Sequence, residues 1–502
     1  MTLQRQYLPI EALPAWARLN GIICHGVAFE CFQSSDGTDK GSAVIAKEEK
    51  YNGDPASEDS RPEILIRVPP DMVLSLELVD SYAKSDRYLR EVLDAVGEYG
   101  RTARGAILIF LLLQITYSSQ EDNAQPRIGV SNPWSEYIKF LPASVPLPTF
   151  YTDDERSLLY GTSLKDAVDT KIASLEREFE HLRTSTAKIP WCAREWWDVD
   201  TGRLTFDDWK MVDALYRSRA LDLPGTGHAM VPCVDMANHA SGDATVALYE
   251  TDEEGNAVLQ LRWGKMLRPG DEVTITYGDE KGASEMIFSY GFLESGVPNA
   301  RQLFLSLDIP DDDPLKLVKK KICKDAPGVR LYVDDDEAGS TGWESPFVWW
   351  ACVNEEDGLE FEVLQTQDGS RELKASWKGK EIGTTSSECS SLKDMISADP
   401  LWDVFQLRAV VLLQGRLERQ LSMLEETEEA FSSVEHDEDG TKTGIRSAVY
   451  TTIKRLRALE TDLLRRGIQD LTRTRDNLMA SETVQKYLSE QPASTETEED
   501  FS

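Results

Sequence analysis

The 502-residue sequence predicts an α+β fold. Two kinds of patterned segment carry that prediction. Short runs alternate apolar and polar residues as half-buried strands do: Ala244 to Glu250, Ala257 to Trp263, and Val273, Ile275 and Tyr277. Longer stretches place apolar residues at helix spacing, at 89–117, 153–182, 402–429 and 445–479. No internal repeat is visible, and the length leaves room for two or three domains with ample core.

From the N-terminus, Leu13 to Asn20 suggests a short helix ended by Gly21. Strand-like segments follow around Ile22 to Phe32. A polar Ser34-Ser35-Asp36-Gly37 turn then leads into Gly41-Ser42-Ala43-Val44-Ile45-Ala46. Residues 51–61 read as a loop, and Ile64 to Val68 as a strand ending at Pro69-Pro70. The composition then turns helical, with breaks at Ser131-Asn132-Pro133-Trp134 and Leu141-Pro142. Asp207 to Arg219 is a further helical pattern that closes on Tyr216-Arg217-Ser218-Arg219.

Met230 to Leu293 carries the chemistry-bearing residues. MVPCVDMANHAS runs apolar into Asp235, Asn238 and His239. Asp252 to Asn256 has the composition of a hairpin loop, Arg268-Pro269-Gly270-Asp271 that of a turn. A short helical pattern from Ala283 to Ser289 ends on Tyr290-Gly291-Phe292. Taken singly, a buried His or Asn ordinarily satisfies backbone groups, and a strand tyrosine is core with a wet tip.

Beyond Asn299, Arg301 to Ile309 reads as a strand, Pro310 to Pro314 as an acidic linker and Asp313 to Lys324 as a short helix. Phe347 to Trp350 is strongly apolar. Leu359, Phe361 and Val363 alternate, Asp368-Gly369 supplies a turn, and Leu373, Ala375 and Trp377 alternate back, as in a hairpin. Val449, Ile453, Leu456 and Leu463 give the last long helix one apolar face, and its Arg-rich opposite face reads as solvated. Acidic residues 425–440 and the tail 491–502 read as mobile.

Lys and Arg number 54 against 88 Asp and Glu, a net charge of −34. That excludes nucleic-acid binding through a broad basic face. An acidic surface attracts basic partners, and equally serves solubility. The seven cysteines form no C-x-x-C pair, which argues against a disulfide framework and a structural zinc; no metal site is expected. The N-terminus lacks the layout of a signal peptide, and the longest apolar run, Ala106 to Leu113, is too short to span a bilayer. These features predict a soluble monomer, cytoplasmic and/or nuclear, with no membrane partner.

VPCVDMANH, GDEVTITYG and EMIFSYGF, in this order and spacing, resemble the carboxyl half of a SET domain, the protein-lysine methyltransferase module. The branch resembled contains the Rubisco large-subunit methyltransferase and the fungal ribosomal-protein lysine methyltransferases. SNPWSEYIKFLP is similar to a segment of that branch's helical insertion. The resemblance covers residues 13 to about 300 by motif, and the remainder by general character and position. It implies a SET β-core with a pseudoknot at 13–300, carrying a helical insertion at about 75–200. It further implies a mostly helical, substrate-binding-like domain at 310–490 with an inserted β-hairpin, and an acidic tail at 491–502.

The resemblance also implies the roles of residues. The cofactor is S-adenosyl-L-methionine and the acceptor a lysine on a basic protein, ribosomal or translational first and nuclear next. Tyr290 stands beside the transferring methyl, and Tyr277 lines the lysine channel. Gly41, Ser42 and Ala43 approach the cofactor; Ala43 replaces the family's second glycine, so that contact is expected to be weakened or shifted. Arg219, which fits the motif better than Arg217, holds the cofactor carboxylate. Asn238 and His239 bind the cofactor, and Asp235 is structural or lends its carbonyl to the channel. Phe292 packs on the cofactor or simply in the core. Two other readings stay open: a non-catalytic protein-binding scaffold of the same fold, and a histidine acceptor.

Overall fold

Ile64–Val68 buries Leu65, Ile66 and Val68 and pairs antiparallel on both sides, with Ile23–Cys24 and with Ala257–Leu261. Ala247–Thr251 completes this four-stranded sheet; its return to Ala257 is closed by Asp252 N–H donating to Asn256 O at 3.0 Å. The computed structural model describes all residues except 1, 2, 4, 34–38, 54–61, 120–127, 295, 335–338, 366–370, 384–390 and 491–502. The expected turns at Ser34 to Gly37 and Asp368-Gly369, most of the 51–61 loop and the acidic tail fall outside the described residues.

The chain divides into two compact units. The first comprises Met1–Tyr151, Ala167–Asp279 and Met286–Glu294, the second Thr152–Asp166, Glu280–Glu285 and Ser295–Ser502. In the first unit, several two-stranded ladders join the main sheet: Val27–Gln33 with Asp39–Ala46, Lys50–Tyr51 with Met266–Leu267, and Ala220–Leu223 with Gly227–Met230. A parallel pair joins Asn238–His239 to Thr274–Ile275. The helix Ala103–Ser118 supplies the core, with Ala106 to Leu113 no more than 1% exposed. The continuous pattern at 89–117 is in fact two helices, Arg87–Ala95 and Ala103–Ser118. A tight turn at Gly97–Arg101 separates them, and Thr102 starts the second by accepting from Gly105 N–H at 3.0 Å. The pattern at 153–182 is likewise split, into Asp153–Ser157 and Leu164–Thr186.

In the second unit, Gln302–Ser306 heads a three-stranded antiparallel sheet with Gly328–Val333 and Thr341–Glu344. The apolar run at Phe347 is a helix, Pro346–Cys352, capped by the Ser345 hydroxyl. The hairpin forms with Leu359 opposite Trp377, Phe361 opposite Ala375 and Val363 opposite Leu373, and Lys380–Glu381 adds a third strand. Trp402–Glu426 and Ser447–Met479 pack together through Val449, Ile453, Leu456 and Leu463, all buried. The opposite face, with Lys454, Arg465 and Arg473, is exposed as expected. At the edge of the buried face, Arg457 is 3% exposed and donates to Tyr160 O and to Leu424 O in the last turn of its helix, each at 2.7 Å. The acidic stretch at 425–440 is also more ordered than its composition suggests. It holds a helix, Glu428–Ser432, and a loop gathered on the Asp437 carboxylate by Thr443 and Lys442 N–H groups. Among the described residues, no helix is long and apolar enough to cross a membrane.

Candidate active site

The glycine segment lies in a bulge rather than a simple turn. Between the pairs Cys31–Ser42 and Gln33–Asp39, one strand advances two residues and the other three. Gly41, at φ +71°, takes up the extra residue, and a side chain there would meet nothing within 4 Å. Ser42 is half-buried, and Ala43 is wholly buried opposite Glu30. The alanine methyl is therefore shielded from solvent within the ladder.

From Ala43 the ladder continues sideways. Val273 N–H donates to Val44 O at 2.8 Å, and Ile45 bridges to Glu272. The next strand pairs Thr274 with Asn238 and Ile275 with His239. Glu272 closes the gap with its side chain: it accepts from Asn238 Nδ2 at 2.8 Å and from Lys40 Nζ at 3.0 Å. The glycine segment and the Asn-His pair, about 200 residues apart in sequence, are thus neighbours on one scaffold.

His239 is locked by its surroundings. Tyr277 N–H donates to Nδ1 at 3.0 Å, so that nitrogen carries no proton and the ring is the neutral Nε2–H form. The His239 and Tyr277 rings stack at 5.2 Å between centroids, and Phe292 lies 6.3 Å from His239 and 6.4 Å from Tyr290. Tyr277 and Tyr290 are 4.5 Å apart. Tyr290 Oη donates to Tyr277 O at 3.3 Å and Tyr277 Oη to Ala237 O at 2.9 Å. Burial pushes the Tyr290 phenol up to about 12, and raises Tyr277 as well despite the nearby Arg219 cation. Both are protonated near neutral pH. Each phenol commits its one proton to a carbonyl and meets any further partner as an acceptor.

The closing segment reaches back to the Asn-His segment, the contact an interlock of the two requires. Glu294 accepts from Ser241 N–H at 3.2 Å and from the Ser241 hydroxyl. The loop before Asn238 is fixed from beneath. Cys233 adopts φ +70°, a strained conformation for a residue with a side chain, and its N–H donates to Tyr137 Oη at 3.0 Å. Tyr137 in turn donates to the fully buried Asp235 carboxylate, whose affinity for a proton burial raises against the pull of Arg219.

The two arginines separate clearly. Arg219 Nη1 donates to Asp235 O at 2.8 Å and lies 3.4 Å from its carboxylate. Arg217 Nη1 instead donates to Phe288 O at 2.9 Å and pairs with Asp213 at 3.3 Å. Burial alone would raise Asp213, but Arg217, Lys171 and Arg104 surround it and hold its carboxyl below the usual range. The structure thus brings Tyr277, Tyr290, Phe292, Asn238, His239 and Arg219 together, with Gly41 to Ala43 adjoining. It adds Glu272, Glu294 and Tyr137, which the sequence reading did not single out. Tyr137 lies in SNPWSEYIKFLP, so the motif was its signal; Glu272 lies in GDEVTITYG.

No protein-family model matches the chain. It is similar to SET domain-containing protein 8 of Schizosaccharomyces pombe, 26% identical over 382 residues, covering 74% of this chain and 81% of that protein. It is 27% identical over 194 residues to the chloroplastic fructose-bisphosphate aldolase-lysine N-methyltransferase of Arabidopsis thaliana, covering 36% of this chain and 37% of that enzyme. The crystal structure of the SET domain of LSMT bound to lysine and AdoHcy superposes with a TM-score of 0.61 over 97% of both chains, at 16% identity. With the parallel Asn-His pair and the two tyrosines beside it, the chain is similar in sequence to SET domain-containing proteins and in fold to the SET domain of LSMT.

Proposed function

We propose that this protein is an S-adenosylmethionine-dependent protein-lysine N-methyltransferase. The observation that carries the reading is the pair of half-buried, protonated tyrosines whose oxygens remain acceptors. The residues fit the cofactor: Gly41 leaves room for close backbone approach, Asn238, His239 and Phe292 offer polar and aromatic contacts, and Arg219 offers a cation for a carboxylate. When bound, the cofactor supplies an electrophilic methyl on a sulfonium. The chain's own residues do the rest.

A lysine amine must be neutral to attack, though its ordinary pKa is near 10.4. A dry site disfavours the ammonium, and a neutral His239 leaves that to burial and the neighbouring cations. The Tyr290 oxygen accepts from the amine N–H and so orients its lone pair along the line of transfer. The Tyr277 phenol and the main-chain oxygens nearby favour a methyl group carrying partial positive charge. The proton leaves the amine to solvent.

The roles of Tyr290 and Tyr277 in catalysis, and of Gly41, Ser42, Ala43, Arg219, Asn238, His239 and Phe292 in cofactor binding, belong to this proposal. So do the domain limits at 13–300 and 310–490. The substrate is proposed as a basic protein, ribosomal, translational or nuclear, met in the cytoplasm or nucleus; the net charge of −34 supports it. Labelled-methyl transfer into a cell extract, with Tyr290→Phe as control, tests the reading. A discrete band absent from the control supports it, and mass spectrometry of the band then separates lysine from histidine. Cofactor binding absent from calorimetry would move the reading to a scaffold.

A further inference from the structure

The hairpin of the second unit ends in an open edge. Among the described residues, Leu359–Gln365 pairs with Arg371–Trp377 on one side only, and Lys380–Glu381 lies on the far side of that partner. The direction of its backbone groups follows from two hydrogen bonds. Ile382 N–H donates to Ala375 O at 2.9 Å, so Ala375 turns its N–H and C=O away from Phe361 opposite. Phe361, in a non-hydrogen-bonded pair, then points its own groups outward. Leu359, two residues earlier, does so: its N–H donates outward to Asn354 O at 3.2 Å. Val363 has the same phase. No described residue bonds the main chain of Phe361 or Val363 on that side.

The side chains along this edge are unusual for a protected strand. Val363 and Leu364 are 64% and 41% exposed, although both are apolar. Glu360 and Glu362 are exposed on one face, and exposed Glu355 and Glu356 lead into the strand. Glutamates oppose pairing with a second copy, because antiparallel self-addition sets like charges side by side. The same glutamates favour an added strand that carries lysine or arginine at alternate positions.

We infer that the Leu359–Gln365 edge binds an extended basic segment of a partner protein by β-strand addition. Main-chain bonds at Phe361 and Val363 supply register, Glu360 and Glu362 select positive side chains, and Val363 and Leu364 cover apolar ones. The inference is read by binding alone and stands apart from methyl transfer.

The test is fluorescence anisotropy of the full chain with labelled octapeptides of alternating Lys-Val and alternating Glu-Val. The Lys-Val peptide should bind and the Glu-Val peptide should not. Val363→Pro deletes the outward donor and leaves the inner ladder intact, so binding should weaken about tenfold or more. Glu360→Lys with Glu362→Lys should weaken it at least as much. Hydrogen exchange on the unmutated chain gives a second readout: the peptide should slow the Phe361 and Val363 amides. Absence of Lys-Val binding, unchanged affinity in Val363→Pro, or no added protection at those amides would each overturn the inference. Self-association of the chain that Val363→Pro abolishes would assign the edge to a second copy instead.

Discussion

The Tyr290 hydroxyl donates to the main-chain oxygen of Tyr277 at 3.3 Å, while the two rings lie 4.5 Å apart. One tyrosine ends a helix and the other follows a two-residue strand, so the contact joins the closing segment to the ladder that holds Asn238. Tyr290→Phe removes the acceptor and keeps the ring. Since the lost hydrogen bond is long, the change should cost about 1 kcal/mol of stability or less. Methyl transfer should fall about a hundredfold or more, as for loss of an oriented polar group at a reacting centre. Thermal melts and labelled-methyl assays check the two halves, and a fully active variant would sink the proposed role.

Glu272 ties Asn238 to Lys40, and its side chain is 11% exposed. Glu272→Ala leaves the Asn238 amide to reorient, and affinity for S-adenosylmethionine should drop about tenfold. Glu272→Gln keeps an acceptor for Asn238 and loses only the ion pair with Lys40, which is a third exposed and adds little. Calorimetry should therefore find Gln close to the unmutated protein. Equal losses in both variants would show that charge, not orientation, is what Glu272 provides.

What could be read in advance follows from the range of the interaction. Tyr277, Tyr290 and the Asn-His pair were legible because they sit in short ordered motifs. The hairpin register was legible too, since alternation pairs Leu359 with Trp377 and Phe361 with Ala375. Tyr137 was not, although it lies in a quoted motif: its partner Asp235 is 98 residues away, and no local pattern encodes such a bond. Periodicity marked the apolar face of the last long helix but not that Arg457, at its edge, is buried against the main-chain oxygens of Tyr160 and Leu424. The strand Gly328–Val333 buries Val329 and Leu331 at a spacing of two, so its signal was present but shorter than the helical runs around it.

Gly291 follows Tyr290 at φ +83°, and an added Cβ would fall 2.4 Å from Pro146 O. Both the backbone conformation and the close approach demand glycine. Gly291→Ala should destabilise the first unit by more than about 2 kcal/mol, and methyl transfer should fall with the displaced Tyr290. Gly270→Ala is the control: φ is +94° with nothing within 4 Å, so only the conformational cost of about 1 kcal/mol remains. Urea titrations of the two variants should differ; matching midpoints would discount the Pro146 contact.

Glu460 is buried within the second unit, where Ser163 N–H and Oγ donate to it at 3.0 and 2.6 Å. Burial pushes its carboxyl from 4.5 up to about 7, against those hydrogen bonds and the Arg457 charge. A folded value above the unfolded one means the folded state holds the extra proton between them. The stability from this group is complete below about pH 4.5 and is lost as pH rises to about 7, a change of roughly 3 kcal/mol. Glu460→Gln keeps an acceptor for Ser163 and cannot ionise. It should leave stability near pH 4.5 almost unchanged and raise it at pH 8 by up to that amount. Urea midpoints at the two pH values decide the matter, and a variant no more stable than the parent at pH 8 would show that the buried carboxylate is already well compensated by Ser163 and Arg457.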